Sequence, residues 1–284
     1  MKLTNKEYVI FSFAFVGFLS FFIVFRILPI LYTLWRSFFT IQQGEYVFAG
    51  VNAYLYVLNQ GIFWQSIFNS LTISSIYIVL KTLILITIGE WMMRNPKSQR
   101  WFLKIAYIPT ITGGFVYAIL FRYLLDSNGA ILSLFPNINI QNSVILNQFL
   151  IAVILIWTSF GISLIMYLNR RKHINRELVE FSQLEGANQL QSFWYVILPH
   201  TKSVILLIGL LSTIEVFTEI EIPMNLTFGG PLQSTITFGY LNYLAGLVFG
   251  NFGYASASTV IFLVLLFLLV IIIKGVYEKI QKLR

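Results

Sequence analysis

Six apolar runs constrain this chain more than anything else in its sequence: residues 8–35, 66–93, 105–125, 149–168, 203–223 and 255–273. Each reaches the roughly 20 helical residues needed to cross a hydrocarbon layer. A helix is the form expected there, because no water is available to satisfy the backbone N–H and C=O groups. Composition agrees: 57% of the 284 residues are apolar and 11% are charged, whereas a water-soluble chain of this size needs a far more charged surface. The first run is too long for the core of a signal peptide and no small-residue cleavage site follows it, so it reads as a retained helix. The chain has no cysteine, which excludes disulfides. The expected fold is all-α, a polytopic membrane protein with six transmembrane helices.

Orientation follows from lysine and arginine, which stay on the cytoplasmic side during insertion. With the N-terminus inside, the inner segments hold Lys2 and Lys6, then Arg94, Lys97, Arg100 and Lys104, then Arg170, Arg171, Lys172, Arg176 and Lys202, and last Lys274, Lys279, Lys282 and Arg284. Of the 19 basic residues only Arg26, Arg36, Lys81 and Arg122 fall elsewhere. Both termini are therefore expected in the cytoplasm. Topology and contact with anionic membrane lipid account for the +8 charge, so no nucleic-acid partner is implied. No linker or internal repeat divides the sequence, and 1–284 reads as a single membrane domain.

Residues 37–63, rich in Phe and Tyr, suit an outer loop at the membrane interface. The stretch 235–249, with Tyr240, Asn242 and Tyr243, is too short to span alone. It is either a re-entrant piece or the tilted start of the last helix. The inner loop at about 169–202 is too long for a simple connection and reads as structured. Asn175 suits an N-cap, with Glu177 in the first turn favoured by the helix dipole. Ile174, Leu178 and Phe181 recur at helical spacing. Gly186 can end this helix in a left-handed conformation. A second short helix fits 189–196, and Pro199 fits the first position of the fifth membrane helix. A short amphipathic ledge results, pinned at both ends to membrane helices; the alternative is an amphipathic helix that simply lies on the inner surface.

Glu180-Phe181-Ser182, Gly186 after three further residues, and Leu198-Pro199 beyond resemble the EAA loop of binding-protein-dependent ABC importer permeases, with its E-A-A, three residues, G, and I-x-L-P ending. Phe181 and Ser182 stand where that family has two alanines, Val196 takes the isoleucine place, and Glu185 replaces the aspartate that commonly precedes the glycine. The resemblance implies that Glu180, Phe181, Ser182, Glu185, Gly186, Ala187, Leu198 and Pro199 couple to an ATP-hydrolysing subunit. Leu226-Thr227-Phe228-Gly229-Gly230-Pro231, Thr235 and Phe252-Gly253-Tyr254-Ala255-Ser256-Ala257 resemble the carbohydrate-importing, maltose-type branch. Gly50-Val51-Asn52-Ala53-Tyr54 and the stretch 128–132, which includes Gly129, echo the same branch. Membership implies a second homologous permease, two ATP-binding subunits that use ATP and Mg while this chain binds no cofactor itself, an extracellular solute-binding protein, a carbohydrate substrate, and alternating access across a bacterial cell membrane. For the Gly-Gly-Pro stretch, an ordinary type II turn at a helix exit is the simpler structural expectation.

Charges inside the runs carry a separate argument. Each costs roughly 2.5 to 3.5 kcal/mol at mid-membrane on insertion scales, so Lys81, Arg26, Glu90, Glu215 and Glu219 should face protein or water rather than lipid. Glu215 and Glu219, four apart, should share a helix face. Either that face lines a translocation path and hydrogen-bonds a polyhydroxylated substrate, or these acids pair with Lys81 or a partner subunit. Glu221, near the outer end, is expected to be hydrated. Most aromatics, 17% of the chain, should form interfacial belts, with Tyr240 and Tyr243 the candidates for stacking on sugar and Asn242 between them a polar neighbour. His173 and His200 lack the partners of a metal site.

Nothing suggests an enzyme: there is no G-x-x-x-x-G-K-[ST], H-E-x-x-H or G-x-S-x-G. Any ATP hydrolysis must come from another polypeptide. An ion-coupled secondary transporter of a small polar solute is the rival reading, since it too buries acids near the midplane; a structural or assembly factor would give those acids no purpose. The inner loop discriminates, because an ion-driven carrier does not require it.

Overall fold

The first apolar run forms α1 (Asn5–Phe22), a wide five-residue π-turn at Ile23–Ile27, and α2 (Leu28–Arg36). The π-turn stands directly before Pro29. Proline offers no N–H to the preceding turn and its ring crowds the carbonyl four residues back, and here Leu28 N–H bonds to Ile23 O, five residues back. The computed structural model describes residues 5–42, 44–126, 129–130 and 142–282, so Lys2, Arg284 and all of the 128–132 stretch except Gly129 and Ala130 lie outside it. The described chain forms two units, one made of Met1–Phe63 with Asn242–Arg284 and the other of Trp64–Leu241.

In the first unit, α2 leads into an antiparallel hairpin of β1 (Phe39–Gln42) and β2 (Glu45–Phe48), paired from Phe39↔Phe48 to Gln42↔Glu45. The chain is mostly helical, and this short strand pair is an addition to the all-α expectation. Aromatic and β-branched residues fill both strands, as a pleated surface favours, and Gly44 adopts a φ of 86° beside the turn. Arg36 lies 3.2 Å over the Tyr46 ring, and the Tyr46 hydroxyl donates to the Gly250 carbonyl at 2.7 Å. The short α3 (Asn52–Leu58) and the long α13 (Phe252–Lys282) complete the unit. Arg26, expected against protein, is exposed on the described chain.

The second unit contains most of α4 (Gly61–Arg94), then α5 (Pro96–Ile111), α6 (Gly114–Leu124) and α7 (Val144–Lys172). The third run is not one straight helix: α5 and α6 meet at a 91° bend. Pro109 and the Gly113-Gly114 pair supply the break, and the Glu221 carboxylate accepts a hydrogen bond from the Phe115 N–H at 3.0 Å. Glu221 is exposed, as expected, and also caps the second half of the broken helix. α7 is the core helix, with Ile151, Leu155 and Leu164 packed against Ile73, Tyr77 and Leu85 of α4. Gly161 lets it approach α5 closely, since a Cβ there would stand 2.5 Å from the Ala106 carbonyl oxygen.

Beyond α7 come α8 (Arg176–Leu184), α9 (Gln189–Ser192), a second π-turn (Phe193–Ile197), α10 (Leu198–Thr218) and α11 (Glu221–Leu226). Residues 189–218 form one continuous helical run, and Pro199 stands in the first turn of α10, as expected. It sits behind a π-turn, as Pro29 does. The stretch 235–249 becomes α12 (Phe238–Tyr243) and a third π-turn (Leu244–Val248), separated from α13 by Gly250 at φ 68°. It is a distinct helix, not the start of the last one. Among the described residues four helices are long and apolar enough to cross a membrane, with the α5–α6 pair as a fifth candidate.

Candidate functional site

The ledge after α7 is built by local capping. Asn175 accepts from the Glu177 N–H at 3.1 Å and starts α8. Gly186, at φ 89°, ends it, with the Ala187 N–H reaching back to the Ser182 carbonyl at 3.0 Å. Open space surrounds Gly186, so it is the left-handed backbone that calls for glycine. Asn188 and Gln191 then form a reciprocal capping box at the start of α9, which saturates two donors the helix end leaves open. The Ser182 hydroxyl lies 2.8 Å from that of Ser192 and ties the two short helices together. An alanine in its place could not make that contact.

Three polar links join the helix ends around the ledge, and one of them, Arg94 to Gln189, reaches the ledge itself. Arg171 grips the Glu90 carboxylate through two nitrogens at 2.9 and 3.3 Å, and the Tyr167 hydroxyl donates to the same carboxylate at 2.8 Å. Arg170 donates to the His200 carbonyl at 2.8 Å, joining the end of α7 to the start of α10. Arg94 at the end of α4 donates to the Gln189 side chain at 2.5 Å. Against this fixed base, α8 turns an apolar edge outward: Phe181 is 62% exposed and Leu184 85%. Glu180 shares its face with Arg176, their atoms 2.6 Å apart. Phe181 and Leu184 are thus large apolar side chains left exposed on an otherwise charged segment. Leu198 and Pro199 lie behind the ledge in the run that continues into α10, and Glu185 is the residue that caps α8.

Among the intramembrane charges, Glu215 approaches Lys81, as the pairing alternative expects, whereas Glu219 departs from the expected shared face. Lys81 is 3% exposed; its ammonium donates to the Tyr77, Ser159 and Ser212 hydroxyls at 2.8, 3.0 and 3.1 Å and lies 3.8 Å from Glu215. Tyr77 donates to the same Glu215 oxygen at 2.6 Å. One cluster thus joins α4, α7 and α10, and Glu215, with its side chain 32% exposed, is its open edge. It borders a groove of about 350 Å³ shared with Ser159, Ser163, Met166 and Leu211. Glu219 is not on that face. The helix stops at Thr218, Glu219 turns to extended backbone at φ −70° and ψ 130°, and its carboxylate accepts from the Ile222 N–H at 2.8 Å. Expecting a shared face assumed a helix that ends one residue too early.

The Gly-Gly-Pro segment is also not a single type II turn. Two turns follow one another, closed by Gly230 N–H to Thr227 O at 2.9 Å and by Ser234 N–H to Pro231 O at 2.9 Å. Their central residues, Phe228 with Gly229 and Leu232 with Gln233, all have positive φ, the sign of the type I′ turn. Three of the four are not glycine, a costly choice that persists where surrounding bonds dictate it. Those bonds come from the membrane helices: Gln65 to Leu232 O at 2.8 Å, Asn69 to Gln233 O at 2.8 Å and Gln148 to Ser234 O at 2.8 Å. Tyr240 is buried with its ring beside Gly229, so it supports this loop rather than standing free to stack on sugar. Asn242, in the other unit with Tyr243, accepts from the Ser258 hydroxyl at 2.5 Å. Sequence reasoning missed the amides of α4 and α7; their polar spacing inside apolar runs was the available signal.

Comparison with known proteins places this architecture. The family described as "Binding-protein-dependent transport system inner membrane component" matches residues 82–282, a stretch that includes the ledge, the Lys81 partners on α7 and α10, and the double turn. The chain is 27% identical over 257 residues to the arabinooligosaccharides transport system permease protein AraP of Bacillus subtilis, covering 86% of this chain and 81% of that one. It is 27% identical over 248 residues to the lactose transport system permease protein LacF of Rhizobium radiobacter, covering 82% of each. Its fold matches a chain of a bacterial ABC transporter involved in the import of the acidic polysaccharide alginate, with a TM-score of 0.78 at 20% identity over 97% of this chain and 96% of that one. The chain belongs to the binding-protein-dependent transport system inner membrane components, as a multi-pass permease of the ABC transporter class.

Proposed function

We propose that this chain is one of two permease subunits of an ATP-driven importer that carries a carbohydrate, an oligosaccharide or related glycan, into a bacterial cell. The observation that carries the reading is the ledge: two short helices set between α7 and α10, tied to each other by Ser182 and Ser192 and to α4 by Arg94 and Gln189, with Phe181 and Leu184 turned outward. A rigid element of that kind transmits a push instead of absorbing it. Two ATPase subunits, closing on ATP and Mg, press on the segment from Glu180 to Ala187, and α10 carries the displacement toward Ser212 and Glu215. Six crossings with both termini in the cytoplasm put the ledge on the ATPase side, with α13 as the sixth. An extracellular solute-binding protein delivers the sugar on the opposite face.

Glu215 is the path residue this reading retains. One of its oxygens is held by Tyr77 and approached by Lys81, and the groove beside it offers Ser159 and Ser163 as hydroxyl partners for a polyhydroxylated substrate. Sugar as cargo follows from the relatives' names and from the resemblance in the 226–257 region. The test is a crosslink from a cysteine at Phe181 or Leu184 in the assembled complex. Capture of the nucleotide-binding subunit, strengthened or lost as ATP is bound and hydrolysed, is the expected result. A purified chain that copurifies with no ATPase and transports alone along an ion gradient would instead establish the secondary-transporter reading.

A further inference from the structure

A groove of about 610 Å³ runs behind the ledge, between the C-terminal ends of α4 and α7 and the helices α8 and α9. Its charged walls are Arg94, Arg171, Lys172 and Arg176 against Glu90 and Glu180. Both acids are already engaged, Glu90 by Arg171 and Glu180 by Arg176. Two positive charges are left over. Arg94 has a neutral partner, the Gln189 amide oxygen, and the Lys172 side chain is exposed at the groove's edge. Exposed Trp91, one turn before Arg94, and exposed Trp194 and Tyr195 in the π-turn mark this end of the helices; aromatic residues of that kind settle at the depth of lipid headgroups. The remaining walls mix apolar side chains such as Met93, Val179 and Ile197 with the polar Gln183, Gln189 and Ser192, and no aromatic ring lines the groove.

The geometry points to this groove as a binding site for the phosphate of an anionic phospholipid headgroup, held by Arg94, Lys172 and Arg176. A cationic cavity between membrane helices at headgroup depth, without an aromatic face for a nucleobase, suits a lipid better than a nucleotide. The site also has a consequence for coupling. A phosphate drawn to Arg176 competes with Glu180 for it, and so frees a carboxylate on the exposed edge of α8. The inference rests on the reading of the ledge as the inner, ATPase-facing element.

The test uses the assembled importer in nanodiscs of phosphatidylcholine alone or phosphatidylcholine mixed with phosphatidylglycerol, comparing wild type with the double variant Arg94→Gln/Lys172→Gln. Native mass spectrometry counts phosphatidylglycerol kept on the permease, and ATP hydrolysis is followed in parallel. With each basic contact near an anionic lipid worth about 1 kcal/mol, the variant should hold phosphatidylglycerol roughly thirty-fold more weakly. Each protein is compared with its own rate in phosphatidylcholine: adding phosphatidylglycerol should raise hydrolysis by wild type and leave that of the variant unchanged. A Lys97→Gln/Lys104→Gln control, which removes the same charge outside the groove, should keep the lipid. Equal retention by wild type and double variant, or equal loss in the control, overturns the site. So does recovery of the rate by inorganic phosphate in phosphatidylcholine discs, which would identify a free-anion site, or loss of ATPase-subunit binding by the double variant in phosphatidylcholine, which would assign the groove to that protein. If wild type hydrolyses no ATP in any lipid, the coupling reading fails while the lipid count still decides the site.

Discussion

Replacing Lys81 by methionine tests the buried cluster most directly. The substitution keeps most of the side-chain volume and removes three hydrogen bonds, to Tyr77, Ser159 and Ser212, together with the 3.8 Å ionic approach to Glu215. The bonds to Ser159 and Ser212 cross between membrane helices, where such bonds average about 0.6 kcal/mol each, so these two amount to about 1 kcal/mol, with the Tyr77 bond inside α4 in addition. Breaking a fully buried ion pair costs roughly 3–5 kcal/mol through the charge left behind. Glu215 should incur only part of that, because it is about one-third exposed and keeps its bond from Tyr77. The expected loss is about 2–4 kcal/mol. The companion Glu215→Gln leaves Lys81 with its three hydroxyl partners and should cost less. The double variant should lose about 1–2 kcal/mol less than the sum of the singles, because contacting groups are not independent. The assay is reversible unfolding of the purified chain in mixed micelles by increasing SDS, run on all four members of the cycle. A Lys81→Met loss below about 0.5 kcal/mol, or strict additivity in the double variant, would refute the pairing from which the cluster's role is argued.

Further outcomes follow from single contacts. Gly161→Ala forces a methyl against the Ala106 carbonyl and should cost about 1–3 kcal/mol in the same SDS titration, whereas Gly17→Ala, with open space around it, should cost nothing measurable. Glu221→Ala strips the Phe115 N–H of its acceptor; hydrogen exchange should quicken at the start of α6 and total stability should fall by about 1–2 kcal/mol. Phe181→Ala with Leu184→Ala removes exposed side chains from the outward edge of α8, so unfolding should stay within about 0.5 kcal/mol of wild type while sugar-stimulated ATP hydrolysis by the assembled complex falls at least several-fold. Arg176→Gln breaks a solvent-exposed pair and should change stability by no more than about 0.5 kcal/mol.

The membrane-crossing helices and the ledge were legible because their signals are local. A run of some 20 apolar residues declares itself, and so do Asn175 as a cap and Gly186 as a stop. The Asn188-x-x-Gln191 capping box was equally local and went unread. The break between α5 and α6 was present as Pro109 with Gly113 and Gly114, but averaged hydropathy does not register backbone geometry. The hairpin at 39–48 was masked by aromatics that also suit an interfacial loop. Other features had no local signal at all. Glu90 finds Arg171 across 81 positions and Glu221 finds Phe115 across 106, and no spacing rule links them. Glu219 shows the converse hazard: four-residue spacing from Glu215 implies a common face only while the helix lasts, and it ends at Thr218.

The wide turn at Phe193–Ile197 fixes the azimuth of the ledge. Each helical residue advances the chain by about 100° around its axis, and a π-turn holds one residue more than an ordinary turn. Deleting a single residue from it would restore uniform winding and swing everything on its N-terminal side by roughly that angle about α10. Phe181 and Leu184 would then face a different direction, and Ser192 would no longer meet Ser182. The number of residues between Gly186 and Pro199 is thus as much a determinant of mechanical engagement as the identity of any one of them.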